Sequence, residues 1–96
     1  MHFALHDGFT GQTVAISAEG REVYRRANVR TDLRISRADA FDVQVAGPRV
    51  TVAVAVEPGG LHATAEIDVA ATPYVAVDLQ SGAIRIKPSD EPFHYM

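Results

Sequence analysis

Between Phe41 and Val69 the chain alternates large apolar with small or polar residues in three runs, parted by Gly47-Pro48 and by Glu57-Pro58-Gly59-Gly60. A strand turns successive side chains to opposite faces, so a period of two marks strands with one buried and one wetter face. The turns then predict the register. A two-residue loop at Gly47-Pro48 sets Val45 opposite Val50, Val43 opposite Val52 and Phe41 opposite Val54. A four-residue loop over 57–60 sets Val56 opposite Leu61, Val54 opposite Ala63, Val52 opposite Ala65 and Val50 opposite Ile67. In both pairings every large apolar side chain lands on one side, and a slip of one residue would put the valines opposite Asp, His, Thr and Glu.

The flanking segments read the same way. His2 to His6 forms a first strand with Phe3 and Leu5 on one face, and Asp7-Gly8 and Gly11 mark breaks. Thr13 to Ala18 and Arg21 to Arg26 form a hairpin through Glu19-Gly20, with Ile16 opposite Val23, Ala15 opposite Tyr24 and Ser17 opposite Glu22. Leu33 and Ile35 alternate like a short strand, and Ser36 to Asp39 resembles a capping sequence sufficient for a single helical turn. Pro73 suits the start of a strand, where no amide donor is needed. Tyr74 to Gln80 and Ala83 to Lys87 pair through Ser81-Gly82, setting Leu79 opposite Ile84 and Val77 opposite Ile86 inside, with Asp78 facing Arg85 as an exposed ion pair. Residues 88–96 carry two prolines and are expected to be an irregular tail.

About seven to eight short strands joined by tight turns predict an all-β fold. We expect a small antiparallel β-sandwich, immunoglobulin-like or transthyretin-like, with little or no helix. The 96 residues suffice for a single domain and one core. With 47% hydrophobic and 22% charged residues, the composition matches a chain that folds without help. Having no cysteine, the chain holds no disulfide framework, thiolate metal site or cysteine nucleophile. With no long apolar run and no basic leader, it is expected to be soluble and cytoplasmic, with no membrane partner. A net charge of −3 argues against nucleic acid as a partner.

The functional signals are sparse. Six arginines against Glu22 and Asp32 give residues 21–37 a local charge of +4, and Arg25, Arg26 and Arg30 are the candidates for an anion-binding patch. His62 lies on an outward face with Thr64, Glu66 and Asp68, making His62 and Glu66 the candidates for a divalent metal site. Residues four apart on a strand stand about 13 Å from each other, so such a site needs further ligands from across strands. Sugar binding would rest on exposed aromatic platforms, and with no tryptophan the remaining rings are Tyr24, Tyr74, Phe93 and Tyr95. No serine sits in a nucleophile-elbow context, so no catalytic residue and no cofactor are assigned and an enzyme is not expected. The outward positions Ala53 and Ala55, with the aromatic tail residues Phe93 and Tyr95, are the candidate interface. The leading expectation is therefore a non-enzymatic binding or assembly module, a homo-oligomer or partner of another protein. It would act through an outer sheet face, an edge strand or its termini. The alternative is a domain that recognises an anion, a sugar or a divalent metal.

Overall fold

The computed structural model describes residues 1–32, 34, 37–45, 47–80 and 82–91. These form β1 His2–Leu5, β2 Thr10–Ala18, β3 Arg21–Arg30, β4 Asp39–Asp42, β5 Arg49–Glu57, β6 Leu61–Asp68, β7 Tyr74–Gln80 and β8 Ala83–Ser89. No helix occurs among the described residues, and so none is long and apolar enough to cross a membrane. One four-stranded sheet has the order β3-β2-β5-β6 and the other β4-β1-β7-β8. Their inner faces share one core that includes Val14, Ile16, Val50 to Val56 at alternate positions, Ile67, Phe3, Leu5, Val75 and Val77. The architecture is the small all-β sandwich that the alternation predicts.

The β5–β6 hairpin has the expected register throughout, from Val56 opposite Leu61 to Val50 opposite Ile67. Val50, Val52, Val54 and Val56 are all at most 1% exposed, and burying each side chain contributes about 1.5–3 kcal/mol. The β7–β8 register also stands as expected, with Val77 opposite Ile86 and Leu79 opposite Ile84.

Other pairings differ. The expected Gly47-Pro48 hairpin is replaced by a crossing between sheets: β4 pairs with β1, Phe41 lies opposite Phe3, and β5 pairs with β2 instead. Alternation fixes which face of a strand is buried but not which strand lies beside it. A hairpin within one sheet and an arch between two sheets both put Phe41, Val43 and Val45 inward. Aromatic packing favours the arch, since Phe41 stacks between Phe3 at 5.1 Å and Tyr24 at 4.4 Å, centroid to centroid. The chain start secures it, because the Met1 amino group donates to the Val43 carbonyl and the Val43 amide to the Met1 carbonyl.

In the β2–β3 hairpin Ser17 faces Glu22 as expected, but a bulge beside it moves Ile16 opposite Tyr24 and Ala15 opposite Arg25. The extra residue, Val23, turns toward the core and brings Tyr24 within reach of Phe41. Gly11 does not break the chain. It lies inside β2 at φ 116°, beneath the Arg30 guanidinium and the Asn28 side chain. One pairing, β1 with β7, is parallel, so the sandwich is not wholly antiparallel.

Asp78 departs from its expected exposed pairing with Arg85. The two are in register, yet the Asp78 side chain is 4% exposed and binds the Lys87 ammonium at 2.6 Å. Its other oxygen accepts the Asp7 amide hydrogen bond at 3.1 Å. The reason is position: β7 lies between β1 and β8, with Val75 to Leu79 buried on both faces, so no polar side chain there can stay in open water. β8 also runs two residues past its expected end, to Ser89. The short alternation at Leu33 and Ile35 lies outside the described residues, as do Ser36 of the expected helical turn and Ser81 of the last hairpin. Asp39, at the end of that turn, opens β4, and Asp32 and Arg37 close the excursion with an isolated antiparallel bridge.

Candidate functional site

A sandwich has two sides, where edge strands of the two sheets face each other, and here they differ. On one side β3 faces β4. The bulge that turns Tyr24 and Arg26 inward lets both reach the first residue of β4: the Tyr24 hydroxyl donates to Asp39 Oδ2 at 2.8 Å and Arg26 Nη1 donates to the same oxygen at 2.9 Å. The Ala40 backbone N–H is a third donor, to Asp39 Oδ1 at 2.9 Å. Partial burial alone would raise the Asp39 carboxyl. The hydrogen bonds from Tyr24, Arg26 and Ala40, with the Arg26 charge, outweigh it and hold Asp39 below the usual carboxylate range. The same burial, with the carboxylate beside it, pushes the Tyr24 hydroxyl well above its ordinary value. This side is a closed seam.

On the other side β6 and β8 pack directly against each other, the closest approach between strands of opposite sheets. Leu61, Ala65, Ile84 and Ile86 are half-buried there against the core, and among the described residues no side-chain hydrogen bond or ion pair joins the two strands. The edges themselves contrast as well. β3 is irregular, with three register shifts and Asn28 at positive φ, and β4 has only four residues. β6 runs eight residues in unbroken register with β5 and contains neither bulge nor proline. Bulges, shortness and proline are the devices that blunt a sheet edge, and β6 lacks them.

The candidate anion residues do not converge. Arg25 lies on the outer face and binds Glu22 at 2.7 Å, Arg26 points the opposite way into the seam, and Arg30 donates to Asn28 near Gly11. His62 and Glu66 sit two rows apart on β6, opposite Ala55 and Thr51, and the Glu66 carboxylate binds Arg49 at 2.9 Å. Among the described residues no three His, Cys, Asp or Glu side chains gather as a metal site would need. Ala53 and Ala55 do lie on the outer face of the β3-β2-β5-β6 sheet. They floor a shallow hollow of about 270 Å³ with Ala15 and Ser17, rimmed by Glu22, Arg25 and His62. Phe93 and Tyr95 lie outside the described residues. Of the other rings named as platforms, Tyr24 is committed to the seam and Tyr74 stands edge-on to His2 at 6.0 Å.

A second hollow, also of about 270 Å³, opens at the end of the sandwich where the β2–β3 turn meets the arch from β4 to β5. Ala18, Val23, Val43, Val45 and Val50 line it, with Glu19, Arg21 and Gln44 at its mouth. The sequence held half of this site: a two-residue Glu19-Gly20 turn sets Arg21 opposite inward-facing Ala18. The other half depends on the arch, which alternation does not reveal. No protein-family model, no curated protein and no solved structure matches this chain.

Proposed function

We propose that the domain is a non-enzymatic assembly module, and that it self-associates through the side formed by β6 and β8. The observation that carries this is the β6 edge. It keeps unbroken register with β5, has neither bulge nor proline, and runs beside half-buried apolar residues. The β3 and β4 edges, by contrast, are irregular or short and are tied to each other by Tyr24, Arg26 and Asp39. A second copy is the partner best fitted to it, because it offers the same edge. A two-fold axis perpendicular to the sheets would continue the β6 sheet from one copy into the next, while β8, whose edge carries Lys87 and Pro88, lies alongside without pairing. Antiparallel pairing of β6 about Ala65 is self-complementary. Ala63 meets Ile67 of the second copy, Leu61 meets Val69, Thr64 meets Glu66 and His62 meets Asp68, so apolar faces apolar inside and no two acids oppose each other outside.

Mass in solution tests the reading. Sedimentation equilibrium across the micromolar to high-micromolar range should show the weight-average mass climbing toward twice the monomer. Ala63→Lys, an inward charge on the edge, should hold the protein monomeric with its circular dichroism intact. A wild-type protein that stays monomeric throughout that range would refute the proposal.

A further inference from the structure

We infer that the hollow at the end of the sandwich is a binding site for a small alkyl carboxylate, with Arg21 holding the carboxylate and the valines holding the chain. Its walls are apolar: Val50 is fully buried, Ala18 nearly so, and Val23, Val43 and Val45 are half-buried and converge on the opening. A volume of about 270 Å³ is just below that of pockets for drug-sized molecules and admits only a short chain. The mouth carries one carboxylate, Glu19, and one cation, Arg21, and it is the cation whose side chain has no partner among the described residues. Arg25, Arg26, Arg30 and Arg34 each have a side-chain partner in Glu22, Asp39, Asn28 and Asp32, whereas Arg21 has none among the described residues. The nearby acid does not answer it, since Glu19 Oε1 accepts the Thr51 amide at 2.7 Å and the Glu19 amide donates back to the Thr51 carbonyl. That reciprocal pair clamps the turn to β5, fixing the backbone from which Arg21 projects on the same face as Ala18. A planar guanidinium with no side-chain partner among the described residues, at the rim of an apolar hollow, is matched by a ligand with one carboxylate and one short hydrocarbon tail.

The test titrates hexanoate into isotope-labelled protein and follows the valine methyl resonances. Hexanoate should shift the methyls of Val23, Val43 and Val45, with a dissociation constant on the order of 1 mM. Each methylene removed should weaken binding about fourfold, making butanoate roughly fifteenfold weaker. Hexylammonium, with the same chain and the opposite charge, should bind at least about tenfold more weakly than hexanoate. Arg21→Gln should abolish that preference while leaving the melting temperature and the chain-length dependence in place. Absent methyl shifts at tens of millimolar hexanoate, equal binding of hexanoate and hexylammonium, or an undiminished preference in Arg21→Gln would each overturn the assignment.

Discussion

Gly8 offers a sharp test of how the two sheets are joined. It sits between β1 and β2 at φ 91°, and a Cβ there would fall 1.9 Å from the Leu79 carbonyl oxygen and 2.8 Å from its carbon. The obstruction is the backbone of β7, so relief requires a displacement of more than an ångström in the most buried strand. Two hydrogen bonds depend on that approach: Leu79 N–H to the Asp7 carbonyl at 2.9 Å and Asp7 N–H to the Asp78 carboxylate at 3.1 Å. A neutral bond contributes about 0.5–1.5 kcal/mol and one to a charged group about 1.5–3. The left-handed backbone adds about 1–2 kcal/mol for any side chain, and the stiffer unfolded chain returns about 0.4–1. Gly8→Ala should therefore lose on the order of 3–5 kcal/mol. Gly20 is the control, with φ 77° and nothing within 4 Å of its would-be Cβ, so Gly20→Ala should lose only about 1 kcal/mol. Urea unfolding of both variants reads the difference directly. In thermal melts Gly8→Ala should fall by some tens of degrees and Gly20→Ala by several. Equal losses would show that β7 does not hold the turn in this way.

The seam and the buried pair give further expectations. Asp39 has a folded pKa below its unfolded value, so its contribution is intact above about pH 4 and disappears as pH falls through the folded value; Asp39→Asn should flatten that part of the acid-unfolding curve. His6 is lowered by burial, against the opposing pull of Asp78 and Asp7, so its share of acid sensitivity begins earlier, as pH falls through about 6.5 where the unfolded imidazole charges. Tyr24 is shifted the other way: its contribution is complete below about pH 10 and is lost above it, and Tyr24→Phe should remove that alkaline loss while costing about 1–2 kcal/mol at neutral pH, both measurable by urea midpoints against pH. Lys87→Ala should cost about 2–3 kcal/mol by leaving the buried Asp78 carboxylate without its cation, whereas Arg85→Ala, in register with Asp78 but not bound to it, should stay within about 0.5 kcal/mol; matching losses would contradict the assignment of the pair.

What could be read from residues alone was the set of strands and the facing of each. The valines of β5 and their partners on β6 needed nothing further, because a short turn made register and neighbour the same question. The neighbour of β4 is a different matter. Phe41 alternates equally well in a hairpin or an arch, and only three-dimensional packing against Phe3 and Tyr24 decides. Asp78 misleads for a related reason: on a two-sided sheet its position reads as wet, but a strand with neighbours on both sides and neighbouring side chains over its outer face is dry throughout. Alternation alone sets Arg25 and Arg26 on opposite faces, but the single-residue bulge at Val23 leaves no periodic trace and exchanges those faces, sending Arg25 to an outer-face ion pair and Arg26 to an inter-sheet bridge. Among the candidate positions, Ala53 and Ala55 were legible because outward facing is a matter of alternation alone.

The placement of β1 bears on how the domain is assembled in time. β1 lies between β4 and β7, and its partners are more than thirty residues and about seventy residues further along the chain. The β3-β2-β5-β6 sheet can form from chain-local hairpins and one strand pairing of moderate span, but Phe3 and Leu5, both fully buried at the end, have no neighbour until β4 and β7 exist. During synthesis β1 therefore emerges well before both of its partners and is among the last strands of the domain to be seated. Its apolar face must wait until β7 has been made, which makes closure of the β4-β1-β7-β8 sheet the slow, long-range step of folding.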